Sequence, residues 1–199
     1  MEFRLTYEDP IHAASTRSPR TDNKHTLRRA FHKQLKQLWE THPYLKVAWL
    51  SRRREGRVLP GVLLKDHLAK QYDRLGYNFV PLVTESLSLW CSLDILFLRP
   101  SMPGEIMKSG DLENRLKIIF DALRLPDSLD ELGSAQAPLE DEKPFFCLLQ
   151  DDKLISRVSV ETDTLLEPTS PNAGDNDARL VIAIKLKPVD VGWDNISFG

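Results

Sequence analysis

Asp111, Glu113 and Lys117 lie close together in the chain, and a second acidic pair, Asp151-Asp152, follows further on. The second pair interrupts two apolar runs, Phe145-Phe146-Cys147-Leu148-Leu149 and Leu154-Ile155. Adjacent carboxylates at the edge of an apolar run are costly unless they are solvated, paired or holding a cation. Hard divalent cations such as Mg2+ take oxygen ligands, usually one or two carboxylates plus waters and substrate phosphates. Asp111, Glu113 and one of Asp151 and Asp152 make a suitable donor set, with Lys117 as a positive charge beside it. The plainer alternative is a capped surface helix whose Glu113–Lys117 i,i+4 pair contributes roughly 0.2–0.5 kcal/mol.

The element that must position the first three residues is a helix over 110–124. Leu116, Ile119, Phe120 and Leu123 fall at i, i+3, i+4 and i+7, an apolar stripe of helical period. Glu113, Lys117 and Asp121 recur every fourth residue along its flank. Asp111 is a good N-cap, Glu113 suits the first turn, and Pro126 closes the segment.

The string Gly-Asp-Leu-Glu-Asn-Arg-Leu-Lys-Ile-Ile-Phe-Asp-Ala-Leu (110–123), with Leu149-Gln150-Asp151-Asp152-Lys153-Leu154-Ile155 after it, resembles the RusA family of Holliday junction resolvases. The likeness spans about residues 86–187. Glu113 stands where the family usually has Asp, and Ser109-Gly110 where it usually has a proline. The resemblance implies a homodimeric, Mg2+-dependent endonuclease that cuts branched DNA, with Mn2+ as a substitute metal and no organic cofactor. By motif, Asp111, Glu113 and Asp152 would be the metal-binding carboxylates and Lys117 the essential lysine. Asp151 is the neighbouring acid, and Asn114 and Asp121 are supporting motif positions.

The net charge of −2 is unevenly spread. Residues 1–75 carry 16 Lys and Arg against 8 Asp and Glu, a net of +8; residues 76–199 carry 11 against 21, a net of −10. A basic half beside an acidic half suits a protein whose carboxylates must meet a polyanion. Arg17, Arg20, Lys24, Arg28, Arg29, Arg52, Arg53 and Arg54 are the candidate DNA contacts. Hydrophobic content of 41 % and charged content of 28 % are those of an ordinary soluble domain. There is no run long and apolar enough for a membrane span and no signal-peptide core at Met1–Tyr7, so the expected location is cytoplasmic. Cys91 and Cys147 sit in apolar runs and read as buried, reduced thiols.

The remaining elements give an α+β class: a mixed sheet with the motif helix packed on it, in one domain over 1–199. Phe3–Tyr7 alternates as a first strand, 8–25 reads as an irregular loop, and a helix is expected over 27–40 with Thr26 as its cap. His25 and His32, seven apart with no third ligand, are expected on the surface. Segment 41–85 reads as an addition to a RusA-type core, with 52–57 a basic loop and Leu63–Leu75 a helix. Residues 85–97 have the clearest strand alternation. Residues 125–144, rich in acids and prolines, are expected to be an inserted, solvated loop. Neither a Gly-rich phosphate loop nor a Gly-x-Ser-x-Gly elbow is present, which removes nucleotide-fold and serine-hydrolase readings. The rival to an endonuclease is a catalytically inactive RusA-like subunit that binds DNA or a protein.

Overall fold

The computed structural model describes residues 1–12, 20–54, 57–102, 111–134, 137–169, 174–192 and 195–198, without the side chains of 20–22, 51–60 and 111. The chain is α+β. Its principal sheet is built on β6 (Leu89–Arg99), where Leu89, Cys91, Leu93, Ile95 and Phe97 are buried and alternate with more exposed residues. That period-2 pattern needs a pairing partner on each side. On one side β9 (Arg179–Pro188) runs antiparallel with Ile95 opposite Ile182; on the other β8 (Ile155–Thr164) runs parallel with Ile95 opposite Val160. β1 (Glu2–Glu8) completes the order β1-β9-β6-β8.

A three-stranded sheet, β4 (Asp73–Arg74), β5 (Tyr77–Val83) and β7 (Phe145–Leu149), lies alongside. β5 and β7 are parallel, and β7 is buried at every position, as expected of a strand covered on both faces. Segment 41–85 packs into the fold: Leu45, Ala48, Leu64, Leu68, Val80, Leu82 and Val83 belong to the same apolar core as β6 and β9. In the basic stretch expected as a loop, 52–54 and 57 belong to the strands of a hairpin, β2 (Trp49–Arg54) and β3 (Arg57–Leu63). A Cβ at Gly61 would stand 2.7 Å from the Trp49 ring, so glycine lets the indole lie across that hairpin. The helix after it, α2, is shorter than expected (Leu64–Gln71) and precedes β4.

The long helix α1 runs Arg20–Thr41, starting well before Thr26. Its inward face holds Leu27, Phe31, Leu35 and Trp39, together with the polar His25, Arg28 and His32. The two histidines expected on the surface are therefore buried. His32 is satisfied as a neutral imidazole: Nδ1 accepts the Phe146 N–H at 2.8 Å, which leaves the proton on Nε2 for the Asp141 carbonyl at 3.2 Å. Its ring stacks on Phe145 at 4.4 Å.

The stretch 125–144, expected as a solvated loop, is exposed at many of its described positions but is anchored at others, with Leu125 and Leu132 in a second apolar cluster around Tyr77, Phe79 and Phe145. Arg28, 1 % exposed, donates to the carbonyls of Asp121 at 2.7 Å and Glu131 at 3.0 Å. Arg29 pairs with the buried Glu142 at 2.6 Å, and Lys24 pairs with Asp121. Both cysteines are buried free thiols, and burial pushes the Cys91 thiol up to about 12. No helix among the described residues is long and apolar enough to cross a membrane.

Removing the Arg28 guanidinium strands its acceptors in the interior. Arg28→Ala should lower the unfolding free energy in urea by roughly 3–5 kcal/mol, whereas Lys33→Ala, exposed on the same helix, should stay within about 0.5 kcal/mol. Equal effects would refute the buried bridge. For His32, burial lowers the pKa below the ordinary 6.5, with Glu142 and Lys36 the nearest charges. The unfolded chain then takes up this proton first, so the stability His32 contributes is complete above pH 6.5 and is lost as pH falls through that value toward the folded pKa. Urea unfolding between about pH 7.5 and 5 should show this loss. His32→Gln, which keeps an acceptor and a donor, should flatten the slope; an unchanged slope would count against a neutral His32.

Candidate metal and phosphate site on the motif helix

The motif helix α3 spans Asp111–Leu123. Arg115, Ile118, Ile119, Ala122 and Leu123 are buried, so its inward face is rotated from the expected stripe, and Leu116 and Phe120 are only partly buried along its flank. The rotation follows from what α3 packs on, chiefly α1 and β7. Helical period then puts Glu113, Asn114 and Lys117 on the outer face, and all three are exposed. Glu113 and Lys117 stand one turn apart. The Asp111 side chain lies outside the described residues.

The second acidic pair sits just past β7, in a single 3₁₀ turn (Asp152–Leu154) that packs against α3. Its two carboxylates have different surroundings. Asp151 caps the turn, its Oδ1 accepting the Lys153 N–H at 3.0 Å. Asp152 is exposed. Leu154, buried, fastens the turn to the core, while Gln150 Oε1 accepts from the Glu85 N–H at 3.0 Å and the Tyr72 hydroxyl at 2.9 Å. Lys153 reaches Glu85 at 2.7 Å, and that hydrogen bond raises its pKa. Glu113 and Lys117 lie on the outer face of α3 and Asp152 in the turn that contacts this helix. The strand before that turn meets the C-terminal end of α3, the Leu125 N–H donating to the Leu149 carbonyl at 3.0 Å. Asp151 is occupied with its own turn.

Asp121 lies elsewhere. It is buried near the C-terminal end of α3, about 12 Å along the axis from Glu113 at 1.5 Å per residue, and pairs with Lys24 and with Arg124 at 3.3 Å. Its support is architectural. The same holds for three candidate DNA contacts. Lys24, Arg28 and Arg29 are paired with Asp121, Glu131 and Glu142, Arg28 wholly buried and Arg29 partly exposed. Arg17 and the side chains of Arg20, Arg52, Arg53 and Arg54 lie outside the described residues.

Residue types alone give Arg115 no role. It is buried on the inner face of α3 and donates to Asn176 Oδ1 at 3.0 Å, tying this half of the helix to the turn before β9; the Asn176 carbonyl also accepts the Ile11 N–H at 2.9 Å. Its spacing with Ile118, Ile119 and Ala122 is the signal that could have found it.

The donor set Asp111, Glu113 and Asp152 is hard oxygen, the type Mg2+ takes, and Glu113 and Asp152 are open to solvent. Among the described residues no three His, Cys, Asp or Glu side chains form a metal-holding group, so the set turns on Asp111. No family model matches this chain, and no curated protein or solved structure is significantly similar to it.

The different surroundings of the adjacent acids give separable outcomes. Asp151→Ala removes a cap and should cost about 1 kcal/mol, whereas Asp152→Ala should change stability by no more than about 0.5 kcal/mol. Urea unfolding of the two variants measures this directly, and a larger loss for Asp152→Ala would reverse the assignment.

Proposed function

We propose that this chain is a Mg2+-dependent endonuclease of branched DNA, in the manner of the RusA family it resembles, acting as a homodimer. The observation that carries the reading is the pairing of two elements. The outer face of α3 presents Glu113 and Lys117 one turn apart, and the turn packed against that helix presents Asp152.

Asp111, Glu113 and Asp152 would hold the metal. When bound, Mg2+ supplies Lewis-acid stabilisation at a phosphodiester and acidifies the attacking water. The chain's own residues do the positioning. Asp111 opens the helix, where the macrodipole favours a carboxylate. Glu113 provides a longer arm than the aspartate usual at its position. Asp151 holds the turn so that Asp152 faces outward, and Lys117 offers a compact cation to neutralise charge growing on the phosphoryl oxygens. Two such sites in a dimer would cut two strands of a junction symmetrically.

Glu113→Gln and Asp152→Asn should each reduce cleavage of a synthetic four-way junction in Mg2+ by at least about a hundredfold, a loss of roughly 2.7 kcal/mol of transition-state stabilisation. Binding of the same junction in EDTA should persist. Mg2+ should raise the Tm of the wild type and not that of Asp152→Asn. Cleavage by both variants within threefold of wild type would overturn the assignment.

A further inference from the structure

Away from α3, a cleft of about 390 Å³ opens between the C-terminal half of α1, the 3₁₀ turn Leu45–Val47, the first turn of α2 and the chain leading into β7. Each of these four elements contributes a lysine: Lys36, Lys46, Lys65 and Lys143. Two carboxylates, Glu40 and Asp66, also line it, so cations outnumber anions by two to one. Little of that positive charge is cancelled elsewhere. Lys143 pairs with Glu140 at 2.6 Å, but Lys36 donates to a neutral carbonyl, that of Asp141, at 3.0 Å. Among the described residues, Lys46 and Lys65 make no ion pair.

Trp39, 2 % exposed, also lines the cleft, so its ring supplies an apolar wall beside the lysines. The acceptor chemistry that suits four ammonium groups is a phosphate oxygen. Among the described residues, none of the lining side chains is Asn, Gln or Arg, the types that read base edges, which favours backbone contact over sequence reading.

We infer that this cleft seats the phosphodiester backbone of one DNA arm. The inference rests on the endonuclease reading and gives it a DNA surface other than Lys24, Arg28 and Arg29. Reach agrees with it. From Phe146, in the cleft, to Asp152 is six residues, at most about 20 Å of extended chain. That span is shorter than the roughly 34 Å of one duplex turn, so a single arm can touch both places.

The experiment compares wild type with the Lys46→Gln/Lys65→Gln double variant on a four-way junction and on plain duplex in EDTA, across salt concentrations. Each phosphate that a lysine no longer neutralises should reduce the slope of log K against log salt by about 0.9. The double variant should therefore bind at least tenfold more weakly at 50 mM salt with a slope smaller by nearly two, while its thermal melt is unchanged. Wild-type affinity and slope in the variant would overturn the cleft while leaving the nuclease reading intact, since cleavage by the wild type in Mg2+ tests that reading separately. Pyrophosphate titration, followed by the Trp39 indole N–H resonance, distinguishes a free phosphate compound from DNA. A Trp39 shift in a wild type that binds no DNA would overturn the DNA assignment and assign the cleft to a small phosphorylated ligand.

Discussion

The buried guanidinium of Arg28 is the constraint on which the arrangement of helices depends. It sits on α1, 1 % exposed, and bonds to carbonyls of two separate segments, Asp121 at the end of α3 and Glu131 beyond it. Burial pulls its pKa down to about 10, which leaves it charged at neutral pH. A charge taken out of water is tolerable only where the geometry returns most of the lost hydration. The Glu131 carboxylate at 3.6 Å and the two carbonyls supply that return, and they do so only when α1, α3 and the acidic segment sit in this one arrangement. The neighbouring Lys24–Asp121 and Arg29–Glu142 pairs lie along the same seam.

This seam determines where a functional site can be. It clamps α3 near its C-terminal end, where Arg124 reaches Asp121, Asp127 and Glu131 within 3.3 Å, so every acid there has a cation. The other half of the helix is held from beneath by Arg115 and by apolar packing, with its outer face open. Glu113 and Lys117 therefore stand on a rigid element whose orientation is set by groups taking no part in the proposed chemistry. The Asp152 turn is treated alike, tied by Leu154, Asp151 and the Gln150 contacts. Sites that hold ligands well are supported in this way, with the presenting residues free and the residues beneath them fixed.

What is readable in the sequence follows the periodicities. The alternation read over 85–97 is a strand from Leu89 onward, with 85–88 a turn. The helical run from Asp111 to Leu123 is where its period puts it, though it buries a rotated face. The elements that are not readable share a cause. α1 turns His25, Arg28 and His32 inward, and a reading that assigns polar residues to the outside cannot see that the partners of Arg28 and His32 lie more than 90 residues away. The acidic segment has the composition of a loop for a related reason, since Glu142 is neutralised by Arg29 of α1, and Glu131 by Arg28 of α1 as well as by Arg124. In the β2–β3 hairpin, basic residues obscure the strand pattern. The parallel pairing of β5 with β7 joins segments too far apart for any local signal. For the candidate site, residue types and spacing are legible. The roles of Asp151 as a cap and Arg115 as an anchor are not, because both depend on tertiary neighbours.

The charge asymmetry between the two halves of the chain takes a different meaning once the fold is known. Four of the 16 basic residues in 1–75, Lys24, Arg28, Arg29 and Arg74, are matched within the molecule by acids of residues 121–142, so part of the excess measures internal complementarity. What counts toward an external anion is the remainder. Among the described residues, the cations that make no ion pair are mostly lysines, Lys46, Lys65 and Lys117 among them, with Arg4 an exception, whereas the arginines Arg28, Arg29 and Arg124 are engaged at the seam. That division has a physical basis. The planar guanidinium fork satisfies several fixed acceptors at once and suits the interior, while the strongly hydrated ammonium suits a site whose partner comes and goes. A long-range attraction built from such lysines falls off within about 8 Å at physiological salt, so it acts only on a ligand already close to the surface. Net charge counted along the chain therefore overstates the pull of this protein on a polyanion, and the unmatched lysines are its better measure.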